Sequence, residues 1–225
     1  MATENYLLTI FRLEERDFRV TPSQLAEQLK MLPVNEGVGT SLPSVGGMIR
    51  RMAREGLAES GPNKDVVLTK KGRQAAEMIV RRHRLAERLV VDLLGIDLQR
   101  AHIEAHLLEH AISAELEKKI AQRLGGPTTC PFGHPIPGSA YVPNKGSVSL
   151  DKATTGEKLV IDNVPEDDQD LLEYLVRHHL LPGQKITVKE AAPTRGVMTL
   201  QVDSEEVVFS YDIASMIMAY PESSA

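Results

Sequence analysis

The sequence predicts a multidomain, mainly α chain. A winged helix-turn-helix comes first, a helical domain follows, and a small β-barrel ends the chain. Three observations carry this prediction. Three helix patterns and one hairpin pattern follow each other within the first 73 residues. The next helices hold more apolar residues than a helix pair can bury. After a Gly/Pro/Ser-rich stretch, the apolar period shifts from that of helices to that of short strands.

Residues 3–16 read as a helix whose apolar face is Tyr6, Leu7, Ile10, Phe11 and Leu13. Thr21-Pro22 reads as N-cap and first helical residue, opening a second helix that buries Leu25, Ala26 and Leu29. A Gly/Pro-rich loop leads to Ser41-Leu42-Pro43-Ser44, a second start signal. The third helix turns Val45, Met48, Ile49 and Met52 inward and stops at Gly56 as a C′ glycine. Residues 57–69 hold two short β runs around Gly61-Pro62-Asn63-Lys64-Asp65, a hairpin signal.

This is the winged-helix order, and residues 1–73 are assigned to it. In that reading the third helix enters the major groove of duplex DNA, and the hairpin touches the backbone. Arg50, Arg51 and Lys64 are phosphate-contact candidates. The alternative is a small helical domain with a hairpin that contacts nothing.

Thr69 caps a long helix running to about Leu94 and stopped by Gly95. Asp97 opens a helix to about Ala111, and Ser113 opens another to about Leu124. Residues 74–126 form the helical domain. Its apolar surplus includes Ile103, Leu107, Leu108, Leu116 and Leu124, and it calls for a second subunit. A twofold homodimer would also present two recognition helices to a palindromic operator.

Four of the seven histidines fall between His83 and His110, a span of 28 positions. His83 and Glu87 are four apart and share a helix face. His102, His106, Glu109 and His110 lie within a stripe about 100° wide. Imidazole nitrogens beside carboxylate oxygens suit a borderline divalent transition metal. The alternative is two amphipathic helices with polar faces in water.

Residues 127–150 read as a Pro/Gly-rich linker with some polyproline geometry. Residues 151–225 carry the strand patterns KLVIDNV, KITVKEA, VMTLQVD and EVVFSY, with a helical LLEYLVRH between the first two. Ile213–Met218 reads as a short helical turn or a last strand.

Composition sets further bounds. Trp is absent and aromatics are 4%, so the cores are aliphatic. No apolar run reaches 18 residues, which argues against a membrane span. The N-terminus lacks a signal-peptide pattern, and a lone Cys130 suits a reducing cytoplasm. The net charge of −5 is unevenly spread. Residues 1–73 carry 11 Lys/Arg against 9 Asp/Glu, whereas residues 127–225 carry 7 against 14. Any face turned to a polyanion therefore belongs to the N-terminal third.

The runs RRHRLAERLVVDLLGID, HIEAHLLEH and CPFGHPIPG closely resemble the diphtheria-toxin-repressor family of metal-dependent transcriptional repressors. The resemblance covers nearly the whole chain. It implies an SH3-like (FeoA-like) C-terminal domain, a homodimer on operator DNA, and no small-molecule substrate. It also implies two divalent ions per subunit, Fe2+ or Mn2+. An ancillary site would take His83, Glu87 and His102, with Glu166 and Gln169 from the C-terminal domain. A primary site would take Glu109 and His110, with His106 and Asn5 at two departing positions. Where iron regulators have Cys this chain has His106, and where the family has Met or Asp it has Asn5. Losing a thiolate removes soft character, while the extra imidazole keeps borderline metals competitive.

The helix-turn-helix departs too. Residues Met31–Thr40 look like an insertion of about nine residues, and Gly46-Gly47 replace polar positions, one of which reads bases in the family. Base readout would then fall to Ser41, Ser44 and Pro43. Two rival functions remain. One is a metal-independent winged-helix regulator whose histidines are structural. The other is a zinc hydrolase, because His106-Leu107-Leu108-Glu109-His110 fits the H-x-x-E-H pattern.

Overall fold

Capping residues fix where the N-terminal helices begin. In the computed structural model, which describes residues 2–32 and 38–222, α1 is Ala2–Glu15, α2 Pro22–Lys30 and α3 Leu42–Arg54. Thr21 and Gln24 form a reciprocal capping box at the start of α2. The Ser41 hydroxyl accepts from Ser44 N and opens α3. Such caps contribute about 1 kcal/mol each. Strands β1 (Ala58–Ser60) and β2 (Val66–Leu68) pair antiparallel, giving the expected hairpin. The expected insertion falls partly on residues 33–37, outside the described residues.

The long helix is modified. Regular α4 covers Lys70–Arg88, and Leu89–Leu93 wind as a π-turn before Gly95 ends the run at φ +69°. Its start needs Gly72. A Cβ there would stand 1.8 Å from the Leu57 carbonyl oxygen, so any side chain would push the hairpin off the helix.

Two compact units make up the chain. One comprises Met1–Ile96, Ala101–Pro127 and Ile136–Ser139; the other comprises Asp97–Arg100, Thr128–Pro135 and Ala140–Ala225. In the first unit, α4 belongs to two cores. Ala76, Ile79 and Val80 pack with Tyr6, Ile10, Leu25, Val45 and Met52 under the winged helix. One turn on, Leu85 and Ala86 pack with Ala105, Ile112 and Ile120 of α5 (Leu98–Glu109), α6 (Ala114–Arg123) and the turn joining them. Each such aliphatic side chain contributes about 1.5–3 kcal/mol on burial. Two ion pairs also bind α4 to α1: Arg73 to Glu14, and buried Arg84 to Glu15 through both guanidinium nitrogens.

The stretch expected to be a linker is packed. Ile136 joins the second helical core, and in the other unit Cys130 and Phe132 are buried. Gly133 sits at φ +91°, and a Cβ there would stand 2.1 Å from the Asp162 carbonyl oxygen, so only glycine allows this close crossing. Apolar side chains between the prolines are therefore anchors.

The second unit is a six-stranded antiparallel sheet in the order β3-β8-β4-β5-β6-β7. The strands are β3 Val148–Ser149, β4 Lys158–Asn163, β5 Lys185–Ala192, β6 Val197–Val202, β7 Glu205–Ser210 and β8 Met218–Pro221. Helix α7 (Gln169–Arg177) lies between β4 and β5, and the short α8 (Tyr211–Ala214) precedes β8. The region expected to be a helical turn or a last strand thus supplies both. No helix among the described residues is long and apolar enough to cross a membrane.

Candidate metal centre

Helices α4 and α5 turn their polar stripes toward each other. From α4 come His83 and Glu87, one turn apart; from α5 come His102, His106 and Glu109, with His110 just beyond. His83 Nε2 lies 2.9 Å from Glu87 Oε1 and 3.0 Å from His102 Nδ1. Its Nδ1 lies 2.5 Å from Glu109 Oε2. His106 Nδ1 is 3.3 Å from Glu109 Oε1. Two triads result, His83–Glu87–His102 and His83–His106–Glu109, each with ligand atoms within 4.8 Å of one another. The family resemblance implied an ancillary role for His83; the structure puts it against both triads.

Helix α1 completes the second triad from above. Asn5 is 0% exposed, and its Oδ1 lies 2.9 Å from His110 Nε2, which is 3.4 Å from Glu109 Oε1. Glu4 adds a residue that sequence reasoning missed: its Oε2 lies 3.0 Å from His110 Nδ1. An acidic residue next to Asn5 was the available signal. Both imidazole nitrogens of His110 thus face oxygen atoms of α1.

Burial gives the cluster its chemistry. Glu87 and Glu109 are both 0% exposed. Two carboxylates taken out of water need compensating positive charge, because an unpaired buried ion costs several kcal/mol. Burial pulls the His83 imidazole down, but Glu87 and Glu109 together outweigh that and raise it to about 10. Burial pushes the Glu109 carboxyl up, but His83 and His106 hold it at about 2. His102 is lowered, by burial first and by the nearby positive charge of Arg12. A His83 imidazolium therefore offsets part of the charge of the two carboxylates. A divalent cation would do so with more charge and with the same lone pairs. Four imidazoles, two carboxylates and an amide oxygen fit such an ion, and the first-row metals rather than Mg2+ or Ca2+.

The remaining candidate ligands belong to the second unit. Glu166 is buried, with Oε2 2.6 Å from His134 Nε2, and Gln169 donates to Glu173 Oε1 at 3.1 Å. His134 Nε2 also lies 2.9 Å from the Val164 carbonyl oxygen, which holds the Cys130–Pro135 segment to the β4–α7 loop.

The candidate DNA residues sit on α3 and the hairpin. Ser41 and Ser44 are occupied with each other at the cap, their hydroxyl oxygens 2.9 Å apart. Pro43 and Arg50 are exposed. Arg51 Nε bonds Glu55 Oε1 at 2.8 Å across the helix surface. Lys64 stands at the hairpin tip with φ +61°.

Three family models match the chain in succession. The model described as "Iron dependent repressor, N-terminal DNA binding domain" matches residues 1–66. "Iron dependent repressor, metal binding and dimerisation domain" matches 69–138, and the FeoA domain matches 148–221. The iron-dependent repressor IdeR of Mycobacterium leprae is 34% identical over 229 residues, covering 96% of this chain and 95% of that protein. The diphtheria toxin repressor of Corynebacterium diphtheriae is 31% identical over the same shares. A solved manganese-dependent transcriptional repressor in complex with manganese superposes with TM-score 0.86 at 29% identity, covering 98% of this chain and 100% of that one. With relatives matched end to end and its three segments in order, the chain belongs to the iron-dependent repressor family, that of the diphtheria toxin repressor.

Proposed function

We propose that this chain is a cytoplasmic, homodimeric DNA-binding repressor activated by Fe2+ or Mn2+, and that it controls genes of metal uptake or homeostasis. The observation that carries the reading is the contact of α1 with the buried cluster. Asn5 and Glu4 belong to the first helix of the winged helix, and both meet His110. Asn5, His106, Glu109 and His110 would hold one ion, and His83, Glu87 and His102 a second. A bound divalent ion supplies positive charge and directional coordination. Through Asn5, the residues of the first set set the pose of the winged helix on α5. Binding energy that favours one pose shifts the population toward it.

Subunit pairing is supported by the matched dimerisation domain and by the exposed Leu93, Leu94, Leu107 and Leu116 on its helices. The zinc-hydrolase reading has less support. Glu109, which would be its general base, is sealed from solvent against His83 and His106.

The test is a DNA-binding titration under anaerobic conditions at fixed salt, with chelator, Fe2+, Mn2+, Co2+ and Zn2+ in separate arms. Duplexes come from the chain's own promoter and from a random pool. Activation of at least about 10-fold by Fe2+ or Mn2+ is expected. Equal affinity with chelator and with every metal would make the cluster structural and end the proposal.

A further inference from the structure

Gly46 and Gly47 leave two adjacent positions in the N-terminal half of α3 without side chains, the half that a recognition helix turns to the groove. Arg50 fills that space. A Cβ at Gly46 would stand 3.4 Å from Arg50 Nη1, and one at Gly47 would stand 4.0 Å from its Nη2. The guanidinium therefore lies along the bare backbone of both glycines, three and four residues back. Helical side chains lean toward the N-terminus, which is the direction of the groove-facing end.

The other polar groups of this face are engaged. The Ser41 and Ser44 hydroxyls bond each other, Pro43 offers no donor, and Arg51 is held by Glu55. Arg50 is exposed and has no ion-pair partner among the described residues.

We infer that Arg50 is the base-reading residue of this chain, and that the base is a guanine. The planar guanidinium donates two parallel N–H bonds, matching the N7 and O6 acceptors that guanine turns to the major groove. The glycines serve this contact. With no Cβ they let the guanidinium lie flat and let the helix approach the base edges closely. Their weakening of the helix is then a feature of the DNA face. The inference rests on the proposed DNA-binding function and deepens it, because Arg50 otherwise counts as one phosphate contact among several.

The experiment selects binding sites from a random duplex pool with the wild-type chain in activating metal. It then compares wild type, Arg50→Ala, Arg50→Lys and Gly46→Leu on the selected duplex, on its single-base variants and on an unrelated duplex, across salt. Arg50→Ala and Arg50→Lys should each lose about 10–100-fold on the selected duplex and lose preference for one guanine per half-site. On the unrelated duplex, Arg50→Lys should match wild type because its charge is kept. Gly46→Leu should melt higher, by about 2–4 °C, yet discriminate less, because its side chain takes the resting place of the guanidinium. A merely structural role would not separate these readouts. A uniform loss across all sequences, with a salt slope lower by about one, would make Arg50 a phosphate contact and overturn the inference. If instead the wild type binds no duplex with any metal, the DNA-binding reading itself has failed.

Discussion

The two proposed ion-binding sets are built from different numbers of helices. His83, Glu87 and His102 come from α4 and α5 alone, two helices already packed through Leu85, Ala86 and Ala105. The set around Glu109 also needs Asn5 and Glu4 from α1. Occupying the first set stiffens a pair that stands without it. Occupying the second fixes a third helix, the one on which the winged helix is built. On the proposed function, that difference would put the regulatory switch at Asn5–His110 and give the first set a supporting role that acts through His83.

Glu109 is where the comparison breaks most visibly. Glu109→Gln keeps the volume and a hydrogen bond but removes the charge that faces His83, His106 and His110. Metal affinity should fall by at least about 100-fold, and metal-activated DNA binding should vanish at ordinary metal concentrations. Glu87→Gln should cost about 10–100-fold in the affinity of one ion, with DNA binding restored by excess metal. Calorimetry with Mn2+ and fluorescence anisotropy on a duplex separate the two. A larger loss of DNA binding from Glu87→Gln would reverse the assignment of roles.

Asn5→Ala probes the third helix with less damage. Metal affinity should drop by no more than about 10-fold, since an amide oxygen is a weak ligand beside two imidazoles and a carboxylate. The ratio of DNA affinities with and without metal should fall toward one. Asn5→Asp should tighten metal binding and keep the coupling. If Asn5→Ala leaves that ratio at the wild-type value, α1 is not the switch.

The sequence made the spacing of the cluster legible because helical periodicity determines which residues share a face. His83 with Glu87, and His102 with His106 and Glu109, follow from steps of four and three. The approach of His83 to Glu109 was not legible, because it depends on how α4 and α5 pack. Glu4 was overlooked because a single acid in a first helical turn usually reads as a favourable charge at the N-terminus. Caps at Thr21, Ser41, Thr69 and Ser113 gave the helix starts, since each is a local hydrogen bond. The π-turn at Leu89–Leu93 had no such local signal. Two-residue β3 is too short for a pattern and exists by pairing with β8. The proline-rich stretch read as a linker because its composition dominated, while Cys130, Phe132 and Ile136 acted as anchors.

The smallest expected effect is the pH dependence of the metal-free protein. His83 is raised to about 10 from 6.5, so its contribution is full below about pH 6.5 and is lost as pH rises through 10. Glu109 is held at about 2 from 4.5, so its contribution is full above about pH 4.5 and is lost as pH falls through 2. With chelator present, Tm should therefore peak between about pH 4.5 and 6.5 and decline by a few degrees toward pH 10. His83→Gln should flatten the alkaline decline. Metal affinity should run the other way, rising with pH as His83 gives up its proton. A metal-free Tm that climbs from pH 7 to 10 would mean that His83 is neutral in the cluster.

Reciprocity tests the central claim most directly. If α1 couples the cluster to the DNA face, a bound duplex must tighten metal by the same factor that metal tightens the duplex. The measurement is the Mn2+ dissociation constant of the wild-type chain, taken with and without a saturating selected duplex at one salt concentration. The account predicts tighter metal binding on DNA, by at least about 10-fold and equal to the activation factor for DNA. The same dissociation constant in both arms would contradict it.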